Sequence, residues 1–398
     1  GAGDGNNSLF TLETNGTLSS ATTFDYESNA STFSIRVQAK DEHNATVEGN
    51  FTVTLQDWFD HPWDKVTAPD KGVDDQFGNS VSQSGNILAI GAHQSDPDGL
   101  ARAGAAYLYQ LDTNGSATFV TKVTAPDKAV DERFGWSVSQ SGNILAVGAT
   151  RSDPDGLHNA GAVYLYRLEA NGSATYLTKV TAPDQTVYDN FGYSVSQYGN
   201  ILAVGAFNSA LEGVSKAGAA YLYQLESNGS VTFLTKVTAP DKGVEDHFGN
   251  FVSLSGNILS VGAGWSDPDG LQNAGAAYLY RLESNGSVSF LTKVTAPDKV
   301  ATDFFGWSVS QSGNILAVGA KYSSPDGVDR AGAAYLYQLE SNGSASFLTK
   351  VTAPDKAADD HFGKSVSQSG NLLVVGAQKS DPDGVSEAGA IYLYQLEA

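Results

Sequence analysis

Neither cysteine nor methionine occurs among these 398 residues. The first absence excludes disulfides, thiolate metal sites and cysteine nucleophiles, and a chain of this length buries enough apolar surface to fold without such staples. The second removes an oxidisable side chain and an initiator: the chain begins at Gly1. An upstream segment is therefore expected to have been removed, a secretory signal first among the candidates, because residues 1–30 have no basic start followed by an apolar run. Basic residues are scarce. Twenty-three Lys and Arg stand against 44 Asp and Glu, for a net charge of −21, which opposes binding to a phosphate backbone or an anionic membrane and makes nucleic acid an unexpected partner. No apolar run approaches the roughly 18 residues of a membrane-crossing helix, so no transmembrane segment is predicted. Helical signals are missing too, since each apolar run is short and cut by Gly, Pro or Asn.

What is present is a repeat. The dipeptide Phe-Gly falls at Phe77, Phe134, Phe191, Phe248, Phe305 and Phe362, each 57 residues after the last. Fixed-period self-similarity implies one supersecondary unit stacked on copies of itself, with a core between neighbours. In the second copy, Phe134 to Gln140 and Ile144 to Ala149 flank the turn Ser141-Gly-Asn. An Asp/Pro/Gly-rich loop then leads to the aromatic, β-branched run Ala160 to Glu169, and Asn171-Gly leads to Ala174 to Thr181. Alternation and turn chemistry give four antiparallel strands of about six residues, the last pair joined by a two-residue Asn-Gly turn. Six such units predict an all-β, six-bladed β-propeller of four-stranded blades over 58–398. The segment 63–70 matches the fourth strand of the other copies, whereas the chain stops at a third strand, so 63–70 is expected to close the ring by completing the last blade, the alternative being a strand from a second molecule.

Carboxylates recur in two loops. Asp96-Pro-Asp98-Gly returns as Asp153 and Asp155, Asp267 and Asp269, and Asp381 and Asp383; it thins to Asp326 in copy five and Glu212 in copy three. A second pair precedes Phe-Gly, from Asp70 and Asp75 to Asp355 and Asp360. In an up-and-down blade both loops emerge at one end, where oxygen ligands suit a hard cation such as Ca2+. The same motif is also turn chemistry, with Asp folding back on its own backbone and Gly at positive φ, and weak Ca2+ binding is the most that is expected. Asn114, Asn171, Asn228, Asn285 and Asn342 in Asn-Gly-Ser, with Asn15, Asn29 and Asn44, form glycosylation sequons as well as turns.

The Phe-Gly with a following Val-Gly-Ala, as at Phe134 and Val147, resembles the FG-GAP repeat of integrin α-subunit propellers and bacterial surface proteins. The resemblance covers 63–398. The family's Asp-rich calcium loop lies between the two halves of the motif; here that place holds Ser84-Gly-Asn or Ser141-Gly-Asn, so that calcium site does not carry over. Residues 1–57 resemble the C-terminal part of a cadherin-like β-sandwich. That likeness implies calcium ligands at Asp25, Glu27, Asp41 and Asp57, with the opening strands of the sandwich absent. Half a sandwich leaves open strand edges that another chain can complete.

For function, His43, His61, His93, His158, His247 and His361 do not recur as a set and no acid-base constellation stands out, so no catalysis is expected. Trp136, Tyr193 and Trp307 follow Phe-Gly and are candidates to stack on sugar, although Asn79, Asn250 and Lys364 take the same place elsewhere. The expectation is an extracellular or cell-surface structural protein that polymerises head to tail by strand complementation of the N-terminal module, its partner being itself or another surface protein. The alternative is a monomeric adhesion or carbohydrate-binding propeller.

Overall fold

In the computed structural model, residues 5–13, 16–22, 32–40, 43–54, 65–112, 116–169, 172–226, 228–382 and 386–396 are described. The chain divides into two compact units, Gly1–Lys65 and Val66–Ala398, a boundary a few residues beyond the expected one.

The first unit contains two separate antiparallel pairs, β1 (Phe10–Leu12) with β2 (Leu18–Ser20) and β3 (Thr32–Lys40) with β4 (Thr46–Thr54). Phe33 and Ile35 are its buried core. Phe10 meets Phe33 edge-on at 5.7 Å, and the Asn7 side-chain amide donates to the Arg36 carbonyl and accepts the Arg36 N–H, both at 2.8 Å. Among the described residues of this unit there are these two ribbons and no sandwich. The calcium positions of the cadherin-like expectation, Asp25, Glu27, Asp41 and Asp57, lie outside the described residues.

The second unit is the predicted propeller. Blade one is β5 (Phe77–Ser84), β6 (Ile87–Ala92), β7 (Ala105–Leu111) and β8 (Ala117–Val123), and blade two is β9 (Phe134–Ser141), β10 (Ile144–Ala149), β11 (Ala162–Leu168) and β12 (Ala174–Val180). Blades three to five repeat the pattern as β13 (Ser194–Tyr198) to β16 (Val231–Val237), β17 (Val252–Ser255) to β20 (Val288–Val294), and β21 (Phe305–Ser312) to β24 (Ala345–Val351). Blade six is β25 (Phe362–Ser369), β26 (Leu372–Ala377) and β27 (Ala390–Gln395). Each sheet is an antiparallel meander in sequence order, and the first strands of successive blades contact one another, placing them innermost.

Sequence dictates this locally. Ser141 pairs with Ile144 across Gly142-Asn143, and Gly142 takes φ +56°, as a tight two-residue hairpin with Gly at its first central position requires. The Asn-Gly hairpin differs from expectation: Leu225 pairs with Val231, so the loop holds five residues, closed by Glu226 N–H donating to the Ser230 carbonyl. Asn228 turns its side chain inward to accept from Ser230 N–H at 2.9 Å, an Asx turn that widens the loop.

The signature residues make the blade-to-blade contact. Phe191 is fully buried and meets Tyr221 and Tyr223 edge-on. A Cβ on Gly205, in the third blade's Val-Gly-Ala, would lie 2.0 Å from the carbonyl oxygen of Gly249, in the fourth blade's Phe-Gly. The same encounter joins Gly91 to Gly135, Gly148 to Gly192, Gly262 to Gly306 and Gly319 to Gly363. Serine hydroxyls on one blade accept N–H bonds from the next, as Ser194 from Val252 and Ser196 from Leu254. The motif is therefore an interface, with glycine required because two backbones touch.

Among the described residues the sixth junction is not made. Gly376, the last Val-Gly-Ala glycine, faces only Ser365 of its own blade, and Gly78, the first Phe-Gly glycine, has nothing within 4 Å. Val81 on β5 is 62% exposed where Val138 is 5%, and Ile391 and Leu393 on β27 are 69% and 49% exposed where Val163 and Leu165 are 0% and 1%. Among the described residues the last sheet has three strands, and 65–70 belong to none. Val66 and Ala68 instead pack on blade one, where Asp70 and Thr67 accept bonds from Tyr107 and Tyr109. Asp127 and Thr124, which follow the fourth strand of blade one, accept the same bonds from Tyr164 and Tyr166 of blade two, and the positions in register with that strand, 60–66, lie mostly outside the described residues, as does most of the expected closing strand.

Candidate functional site

The two acidic loops do meet. In blade one, Asp70, Asp75, Asp96, Asp98 and Lys122 line one cleft. Within it every carboxylate has a task. Asp184 accepts the Tyr221 hydroxyl at 2.9 Å and the Lys236 ammonium at 2.7 Å, with that ammonium 5.2 Å from the centre of the Tyr221 ring. Burial pushes the Asp184 carboxyl up, but the bonds from Lys236 and Tyr221 outweigh it and hold the group below its ordinary value. The clasp recurs at Asp70, Asp127, Asp241 and Asp298; Asp355 in blade six has, among the described residues, the tyrosine, Tyr392, without a lysine. The second acid of the pair is a loop cap: Asp246 accepts Gly243 N–H at 2.6 Å and Asp303 accepts Val300 N–H at 2.8 Å.

In Asp-Pro-Asp-Gly the first Asp also caps. Asp96, Asp153, Asp267 and Asp381 accept the N–H of Arg102, Asn159, Asn273 and Glu387, at 2.5 to 2.7 Å. The second sits at positive φ and is exposed: Asp98 and Asp269 pair with Lys128 and Lys299, and Asp155 accepts from Gln185. Where the motif thins, the work continues, with Ser324 capping Arg330 N–H and Glu212 pairing with Lys242. Asp383 lies outside the described residues. Among those described, no group of three or more His, Asp or Glu is arranged to hold a metal ion. Of the sequons, Asn228, Asn285 and Asn342 are exposed and each binds the Ser two residues on, and Asn44 is exposed at φ 63°; Asn15, Asn29, Asn114 and Asn171 are outside the described residues.

A second layer at the same end does not repeat in chemistry. It is formed by the residue before Phe-Gly, the residue after it and the two after Val-Gly-Ala. In β9 the register jumps from Phe134–Ala149 to Ser137–Gly148, a bulge that throws out Gly135 and Trp136; bulges re-aim side chains in this way. The outcome is a run of touching rings along the inner rim. His93 meets Trp136 at 4.7 Å, Trp136 meets Tyr193 at 5.3 Å, and Tyr193 meets Phe207 at 4.1 Å. His247 links Phe207 to Trp265 at 5.3 and 4.7 Å, Trp265 meets Trp307 at 4.8 Å, and Phe304 and Tyr322 lead on to His361. The three aromatics singled out from sequence are thus brought together with seven further rings, counting histidines. Spacing from Phe-Gly found the first three; the residues after Val-Gly-Ala carried the same signal.

Two lysines enter this layer. Lys321 is buried with its ammonium 3.0 Å from the centre of the Trp307 ring and 4.5 Å from that of Tyr322, and the Lys364 ammonium lies 4.6 Å from Trp307. Burial, reinforced by Lys364, lowers Lys321 to about 7. Burial lowers His93 to about 4, with Arg133 and Arg151 adding to it.

The chain belongs to the FG-GAP repeat family: the repeat matches at 63–109, 117–166, 175–223, 231–280, 288–337 and 346–394. No curated protein matches it. Many solved structures share the fold, among them two that match most of the chain. One is a protein from Lactobacillus plantarum, 13% identical, with 80% of this chain and 84% of that one covered at a TM-score of 0.51. The other is the periplasmic gluconolactonase PpgL of Pseudomonas aeruginosa, 14% identical, with 92% and 97% covered at 0.52. Identities this low establish fold alone. They nevertheless overturn the expectation of no catalysis, since a propeller of this shape is named as an enzyme, and lack of a repeated acid-base set was never a test of residues that vary between blades. Among the described residues no helix is long and apolar enough to cross a membrane.

Proposed function

We propose that this protein is an extracellular or cell-surface module that joins to further copies of itself, head to tail, through the two bare ends of its blade array. The observation that carries the reading is the unmade sixth junction. Val374, Ile391 and Leu393 on the last blade occupy the places of Ala146, Val163 and Leu165, which pack against Phe191, Val195, Leu202 and Tyr221 of the following blade. Phe77, Val81, Leu88 and Tyr107 of the first blade are the equivalents of that second set. The two ends are complementary because the same repeat makes both. Covering a large aliphatic side chain stabilises by roughly 1.5–3 kcal/mol, and a contact between unlike faces propagates unless it closes. Strand complementation thus has its support at the propeller ends rather than in the N-terminal ribbons.

The test uses two variants, Val81→Asp and Ile391→Asp, in analytical ultracentrifugation. Wild type is expected to form a concentration-dependent series, each variant alone to stop as a monomer, and their mixture to stop at dimers, since each retains one good face. A wild type that stays monomeric at every concentration, with strong hydrogen-exchange protection on β5 and β27, would mean that the ends meet within one molecule and would sink the reading.

A further inference from the structure

The aromatic rim contains an anomaly that neither fold nor assembly explains. Lys321 is 7% exposed, and it has no hydrogen bond or ion pair among the described residues. Its neighbours are the rings of Trp307, Tyr322 and Phe304 and a second cation, Lys364, which also has no acid partner among the described residues. A buried ammonium without a counter-ion is costly, and rings offset only part of that cost. The chain has 44 acidic residues and gives one to Lys122, Lys128, Lys179, Lys236, Lys242, Lys293, Lys299, Lys350 and Lys356 alike. Leaving two adjacent cations unpaired within such a surface marks a place kept for an anion from outside.

The surroundings limit what that anion is attached to. Trp265, Trp307, Tyr322 and Phe304 are half-buried, so their rings form an apolar platform with exposed area beside the ammonium groups. The buried Asn250 donates to the Trp307 carbonyl at 3.1 Å, while its own Oδ1 has no partner. Flat rings, an amide and a cation pair suit a body with an apolar face, hydroxyls at its edge and one negative group. The net charge of −21 disfavours a densely charged polymer such as nucleic acid. We propose that Trp265, Trp307 and Tyr322, with Lys321 and Lys364, form a binding site for a carboxylate-bearing sugar, its ring stacked on the indoles and its carboxylate between the two ammonium groups. An incoming carboxylate would restore full protonation to Lys321, whose ammonium is lowered to about 7 by burial and by Lys364.

Tryptophan fluorescence and calorimetry with a galacturonate oligomer, and with the neutral galactose oligomer of the same length, test the site. The acidic oligomer is expected to quench fluorescence and bind at least tenfold more tightly than the neutral one. Lys321→Met with Lys364→Met should abolish that preference while leaving the melting temperature equal or higher, because two unpaired buried charges are gone. Equal binding of both oligomers would reduce the site to a neutral stacking surface, and no binding of either would overturn it. Should the double variant misfold, 13Cε shifts of the lysines in the intact protein decide: a Lys321 pKa that does not rise on adding the oligomer refutes the carboxylate contact. The monomeric Ile391→Asp variant serves equally well, so failure here is separable from failure of assembly.

Discussion

Five junctions between blades and the two bare ends are built from the same residues and differ only in whether another copy is present. At a made junction, Phe-Gly, Val-Gly-Ala and the serines of the inner strand disappear into contact, and substitution has nowhere to go. At an end, the same letters lie in solvent. The motif therefore encodes adhesion between repeats, and its consequence at any one position depends on the neighbour, which is how energy is distributed in repeat proteins. Gly205→Ala breaks this comparison most severely. Its Cβ meets the Gly249 carbonyl oxygen at 2.0 Å, backbone that cannot yield without separating blades. A loss of at least about 3 kcal/mol is expected, whereas Gly376→Ala, facing only the movable Ser365 hydroxyl, should cost under about 1 kcal/mol. Parallel urea titrations of the two monomeric backgrounds read the difference.

A smaller contrast comes from Leu222 and Leu393, the third-strand leucines of blades three and six. Leu222 is fully buried between blades and Leu393 is exposed. Leu222→Ala should cost about 2–5 kcal/mol and Leu393→Ala well under about 1 kcal/mol in the monomer. If the ends mate as proposed, the Leu393→Ala penalty grows with protein concentration, and that growth is the measurement.

How much of this was legible beforehand follows the same division. Period, strand number, antiparallel order and turn positions were all readable, because Phe-Gly, Ser-Gly-Asn and the Tyr-Leu-Tyr run act locally and recur. The match of 63–70 to the end of a fourth strand holds in space as well, since Asp70 and Thr67 answer to Tyr107 and Tyr109 of the following blade as Asp127 and Thr124 answer to Tyr164 and Tyr166. The acidic loops read as turns with at most weak cation binding, and a one-dimensional pattern does not show that Lys236 and Tyr221, 52 and 37 residues away, reach Asp184. Trp136, Tyr193 and Trp307 were found by their spacing, but Trp265, Tyr322 and Lys321 come from a different strand end and join them only through the bulge and the packing of each blade on the next. Repetition was legible, and the departures from it needed coordinates.

Acid should loosen the first junction before the others. His93 packs on Trp136 of the next blade, its Nδ1 has no partner, and burial together with Arg133 and Arg151 lowers it to about 4 from 6.5. The unfolded chain takes up a proton on this group below about pH 6.5 that the folded chain declines until about pH 4. The stability it contributes is therefore complete above 6.5 and falls as pH drops through that window, by about 1–3 kcal/mol. Melting curves from pH 7 to 4 should slope downward in wild type and less so in His93→Gln. Equal slopes would mean the ring is solvated and the junction insensitive to acid.

The smallest effect compares one clasp inside the array with its counterpart at the end. Tyr221 donates to an Asp184 that also holds Lys236, whereas Tyr392 donates to Asp355 on the open blade, where no lysine completes the set among the described residues. Tyr221→Phe should cost about 1–1.5 kcal/mol, and Tyr392→Phe a few tenths, as expected of a solvent-exposed bond. The interior penalty should also depend on pH in a definite direction. Asp184 is held below its ordinary 3.8 because bonds from Lys236 and Tyr221 overcome the opposing effect of burial. Its contribution is present above the unfolded value and lost as pH falls through the folded one. The gap between Tyr221→Phe and wild type should accordingly be widest near neutrality and narrow below about pH 4, while the Tyr392→Phe gap stays small throughout. A Tyr221→Phe gap that is constant from pH 7 to 3 would show that the hydroxyl serves packing alone and that the lysine holds the carboxylate unaided.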